Sequence, residues 1–142
     1  MLRFVTYVGV LALAGLAVFW AVTRPAMLGE ADVAGLTGDP AKGEAVFWAT
    51  GCASCHMAEG AKGADQLVLK GGQRFASDFG TFLAPNISSD PEMGIGGWPL
   101  LQFANAVTRG VSPEYQHYYP ALPYGSYNKL ALQDVADLHA FM

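Results

Sequence analysis

Two cysteines separated by two residues and followed at once by a histidine, Cys52-Ala53-Ser54-Cys55-His56, form the densest chemistry in the chain. Thiols at this spacing can add to the two vinyl groups of one haem, and the adjacent imidazole is then held under the iron as its proximal ligand. Other uses of the pair fit less well. A thioredoxin-type dithiol follows a strand in a βαβ pattern, and no such pattern surrounds this one. A structural zinc site takes four ligands, and beyond the motif only His117 and His139 remain, neither at finger spacing. A disulfide between residues three apart closes too small a loop to stabilise much. The expectation is one covalent haem c on Cys52 and Cys55, with His56 on the iron.

The elements that must position this motif can be read around it. Asp39 and Pro40 make a helix start, N-cap then first helical position, and the helix runs through Ala45, Val46, Phe47 and Trp48 to Gly51, directly before Cys52. Residues 58–97 are Gly-rich, with no apolar periodicity long enough for a helix or a strand ladder, so a long loop is expected. Such a loop in a small domain wraps something, because alone it could not offset its ordering entropy. Pro99 opens a second helix in which Leu100, Leu101, Phe103, Ala104 and Val107 share a face before Gly110 stops it. An ordered loop rich in Pro and Tyr follows. A last helix over residues 132–142 turns Leu132, Val135, Ala136, Leu138 and Phe141 inward, with His139 on its surface. The fold class is all-α: three helices, two loops and no strand. Phe47, Trp48, Trp98, Phe103, Tyr119 and Tyr124 are expected to pack against helices and haem.

The chain has 142 residues, room for one modest domain, with 52% hydrophobic and only 14% charged residues. The apolar excess lies at the amino end, where residues 4–22 carry no charge. A helix of that length spans about 28 Å, enough to cross a membrane and too long for the apolar core of a cleaved signal. Residues 1–25 therefore read as an uncleaved transmembrane signal anchor, residues 26–37 as a tether and residues 38–142 as the domain. Eight basic residues oppose 12 acidic ones, and Arg3 and Arg24 flank the apolar run, so the domain itself is acidic. No basic patch exists for nucleic acid. No nucleophile elbow, phosphate loop or paired-carboxylate signature is present, so the chain reads as a carrier rather than an enzyme.

Three segments carry a resemblance: Gly51 with Cys52 to His56; Pro85-Asn86-Ile87-Ser88-Ser89-Asp90-Pro91-Glu92-Met93-Gly94-Ile95-Gly96-Gly97-Trp98; and Tyr119-Pro120-Ala121-Leu122-Pro123-Tyr124-Gly125-Ser126-Tyr127. In this order, over residues 38–142, they resemble the haem domains of the membrane-bound cytochrome c subunits of periplasmic alcohol, aldehyde and gluconate dehydrogenases. The resemblance implies a class I cytochrome c fold, with three or more helices around a covalent haem. It implies an electron carrier in the periplasm, held at the inner membrane with its amino terminus in the cytoplasm, between a dehydrogenase and the respiratory chain. It also implies further haem domains beyond Met142 in a longer chain.

The sequence departs from the family at the distal side of the iron. Related domains carry Met within Tyr-Pro-Ala-Met-Pro-Tyr, and here that position is Leu122, which cannot ligate. His117, five residues earlier in the same loop, is the first substitute, and Met93 the second. The third alternative is an iron left open, which would make the domain a haem enzyme or a gas-binding sensor. Arg74, in the loop after the motif, could pair with a haem propionate.

Overall fold

The computed structural model describes all 142 residues, the side chain of Leu2 excepted. The first element, α1 (Leu2–Thr23), is apolar around its whole circumference, and its stretch Arg3–Thr23 buries nothing against the rest of the protein. That stretch is long and apolar enough to cross a membrane.

Local signals set the next helices. In α3 (Pro40–Thr50) the Asp39 carboxylate accepts from the Ala41 N–H at 3.0 Å and Pro40 opens the first turn. Gly51 ends that helix at φ 72°, a conformation that favours glycine, and α4 (Cys52–His56) begins at the next residue. Helix α5 (Leu100–Arg109) stops at Gly110, and α7 (Leu132–Phe141) runs to the end of the chain. The strongest packing in the domain joins α3 to α7. Their backbones cross closely at Gly43, where any Cβ would strike the carbonyl of Asp137. Phe47, wholly buried, fills the seam and meets the Phe141 ring at 5.3 Å. Phe103 and Ala104 from α5 join Val135 and Leu138 from α7 to complete the core.

Three findings differ from the sequence reading. First, the long loop contains an antiparallel hairpin, β1 (Arg74–Ser77) paired with β2 (Gly80–Leu83). Its four-residue strands bury neither face in the core, so they leave no alternation in the sequence; Phe82 instead stacks on Tyr119 at 4.6 Å. Second, residues 26–37 are not a free leash. They contain the short helix α2 (Glu30–Val33), and Leu28 and Val33 are buried in the core. Third, His139 is half-buried rather than on the surface, its Nε2 2.9 Å from the Trp98 carbonyl and its ring 5.2 Å from Phe103. One-turn helices and contacts between distant residues leave little periodic trace.

Candidate functional site

The site is built on the single turn of α4. Because Gly51 reverses the chain, the turn starts at once, with the Ser54 N–H donating to the Gly51 carbonyl at 3.0 Å and the Ser54 hydroxyl reinforcing it at 2.6 Å. Cys52 and Cys55, three apart on a helical turn, share one face. Both are free thiols. Cys52 is half-buried, with its Sγ 3.3 Å from the Thr50 hydroxyl, while Cys55 is exposed. Burial pushes the Cys52 thiol up from its ordinary pKa, and the Thr50 contact opposes that in part. Tyr127 in α6 (Tyr124–Tyr127) donates to the Thr50 carbonyl at 2.6 Å, fastening the end of α3 beside the thiols.

His56 closes the turn. Its Nδ1 lies 2.9 Å from the Pro85 carbonyl, an acceptor only, so Nδ1 carries the proton and Nε2 keeps its lone pair. Burial lowers the imidazole pKa, and the Pro85 carbonyl opposes the shift without reversing it. A neutral ring with one nitrogen oriented by a backbone carbonyl and the other free is the state that ligates a metal. The long loop delivers Pro85 by returning across the motif: the Gly71 N–H donates to the His56 carbonyl at 2.8 Å, and Gln73 Nε2 to the Met57 carbonyl at 3.0 Å.

The chemistry of this donor set fits a covalently held haem. Two unpaired thiols share a face, and the imidazole that follows offers a free nitrogen. The loop and hairpin also leave the apolar side chains of Leu67, Val68, Phe75 and Leu83 exposed.

The distal candidates make contacts of their own. His117 is exposed, with its Nε2 3.2 Å from the Thr23 carbonyl at the end of α1. Met93 is 74% exposed, in a turn where its N–H donates to the Asp90 carboxylate at 2.7 Å. Leu122 is half-buried, and Arg74 stands exposed at the start of β1. Sequence reasoning missed Pro85 and Tyr127 as supports of the motif. Both fall within the resembling segments, but a backbone acceptor such as the Pro85 carbonyl has no side-chain signature.

Residues 40–142 match the family model of cytochrome c. A diheme cytochrome c-type protein of Cereibacter sphaeroides is 53% identical over 130 residues, 92% of this chain and 44% of its own length. The fructose dehydrogenase cytochrome subunit of Gluconobacter japonicus is 35% identical over 101 residues, 71% of this chain and 20% of its own. The gluconate 2-dehydrogenase cytochrome c subunit of Pantoea cypripedii is 32% identical over 121 residues, 81% of this chain and 26% of its own. The chain thus spans less than half the length of each of these relatives.

Proposed function

The chain belongs to the cytochrome c family, and from that membership and the geometry of α4 we propose that it carries single electrons on one haem c, bound through Cys52 and Cys55, with His56 as proximal ligand. When bound, the haem supplies a one-electron iron couple. The protein's own part is attachment and orientation: the two thiols would hold the group by thioether bonds, and the Pro85 carbonyl holds the His56 ring through Nδ1 and leaves Nε2 free. That His56–Pro85 contact is the observation that carries the reading, because it leaves one nitrogen free directly after two free thiols. Replacing both cysteines with Ala tests it: no haem should then travel with the denatured chain, and haem retained by the denatured double variant would overturn the assignment.

The partners follow from the relatives. Fructose and gluconate dehydrogenase cytochrome subunits share the domain, which supports a dehydrogenase as electron donor; the acceptor in this reading is the respiratory chain. In this reading α1 tethers the domain to the inner membrane, with the domain in the periplasm. The likeness to the Cereibacter protein supports the tether: its 130 residues leave only 12 of this chain outside, so the match extends into the 22 residues of α1.

A second reading, an iron whose distal side is open to a small ligand, is favoured by one contact. The sequence nominates His117 as sixth ligand, yet its Nε2 already meets the Thr23 carbonyl, a bond it would have to give up. Carbon monoxide binding by the reduced protein separates an open distal side from one that His117 closes.

A further inference from the structure

We propose that the turn formed by residues 112–119 rests on the lipid surface beside α1, with Tyr115 and Tyr119 in the headgroup layer. This inference rests on the reading of α1 as a membrane span. The 21 residues Arg3–Thr23 measure about 31 Å as a helix, the thickness of a hydrocarbon core, which puts Thr23 at its edge. Trp20 and Arg24 mark the same level: the guanidinium lies 5.4 Å from the indole centroid, and both residue types favour the boundary between lipid and water.

The contact from His117 to the Thr23 carbonyl, 3.2 Å long, brings the turn to that edge. Tyr115 and Tyr119 each lie two residues from His117, a span of at most about 7 Å of chain. The headgroup layer is itself about 5–8 Å deep on each side, so both rings are within its reach. They are 71% and 52% exposed.

The turn is built to hold Tyr115 outward. The Ser112 hydroxyl accepts from the Glu114 N–H at 3.2 Å and the Gln116 N–H at 3.3 Å, while the Ser112 N–H donates to the Gln116 carbonyl at 2.8 Å. Val111 and His117 pair across the base, and the Tyr118 N–H donates to the Gly110 carbonyl at 2.7 Å. Within this frame Tyr115 adopts a φ of 64°, the only positive φ among the described non-glycine residues. A tyrosine held in that costly conformation while most of its surface stays exposed points to a contact the ring makes elsewhere. A lipid boundary matches the ring's chemistry, apolar along its body and polar at its tip. The acidic charge of the domain excludes attraction to anionic headgroups as the cause, so the contact needs only a neutral bilayer.

The test uses the full haem-loaded chain in phosphatidylcholine nanodiscs. Photoreactive p-benzoylphenylalanine is placed singly at position 7, 115 or 119, with covalent haem content as the check on folding. Position 7, inside α1, reports the tether alone. Lipid adducts at 115 or 119, in yield within about threefold of those at 7, are expected for rings set in or against the bilayer. Lipid adducts at 7 with none at 115 or 119, or with adducts there only to a neighbouring copy of the chain, would overturn the surface contact and leave the tether standing. No lipid adduct at 7 would overturn the tether, and the inference with it.

Discussion

Asn105 grips the backbone of Leu28 from both sides. Its Oδ1 accepts from the Leu28 N–H at 2.8 Å, and its Nδ2 donates to the Leu28 carbonyl at 3.3 Å and to the Leu101 carbonyl at 3.0 Å. The amide is 2% exposed and uses both of its functional ends. It fastens the segment leaving α1 onto α5, so the domain is joined to its amino-terminal helix by a clamped joint.

Asn105→Ala leaves the buried Leu28 N–H and carbonyl without partners, and a loss of about 1–3 kcal/mol follows for each such group left unpaired. Denaturant unfolding of the haem-loaded chain measures it. Covalent haem content should stay at the parent level, because none of these bonds touches α4. A variant as stable as the parent would show that the clamp is dispensable.

Gly43→Ala tests the crossing of α3 and α7. The added methyl meets the Asp137 carbonyl and the Cβ of Phe141, and neither backbone can yield without opening the seam around Phe47. A destabilisation of at least about 1–3 kcal/mol is expected from overpacking. Gly9→Ala in α1, where a methyl finds open space, serves as the neutral comparison in the same unfolding measurement.

How much of this could be read in advance depends on the range of the interaction. The limits of α3 and α5 were legible because their signals are local: Asp39 and Pro40 start one helix, and Gly51 and Gly110 stop the two. The turn of Cys52 to His56, the proposed attachment site, was legible for the same reason, as five consecutive residues. The Leu28–Asn105 clamp joins residues 77 apart, and the His139–Trp98 contact joins residues 41 apart, with no periodic trace at either end. The Pro85 carbonyl that orients His56 has no side-chain signature at all. The hairpin escaped because strands with both faces outside the core show no alternation.

Asp137 gives the domain an acid-sensitive joint. Its buried Oδ1 accepts from the Asp39 N–H at 2.8 Å and from Gln133 Nε2 at 2.8 Å, and these bonds, the Asp39 one foremost, hold the carboxyl below its ordinary pKa. A carboxyl depressed on folding adds stability that is fully present above its unfolded pKa, about 3.9, and is lost as pH falls through the lower folded value. The melting temperature of the parent should therefore drop below about pH 4 more steeply than that of Asp137→Asn, which retains an acceptor for Asp39 but no titrating charge. Parallel pH profiles of parent and variant would refute this assignment.

The contact between His117 and Thr23 sets up the test of the distal side. A ring whose Nε2 holds the Thr23 carbonyl leaves that nitrogen unavailable to iron, and Leu122, at the position where the resemblance implies a Met, offers no ligand. The reduced protein is then expected to bind carbon monoxide without any substitution, and His117→Ala to bind it no more readily. The oxidised protein should lack the spectral signature of Met coordination, which would otherwise mark Met93 as the ligand. If instead the parent refuses carbon monoxide and His117→Ala admits it, His117 leaves Thr23 for the iron, and imidazole on both faces would lower the reduction potential relative to a thioether. If neither form binds it, Met93→Ala identifies the remaining donor by the same titration. The three results assign the distal side of the iron respectively to an open position, to a second imidazole or to a thioether.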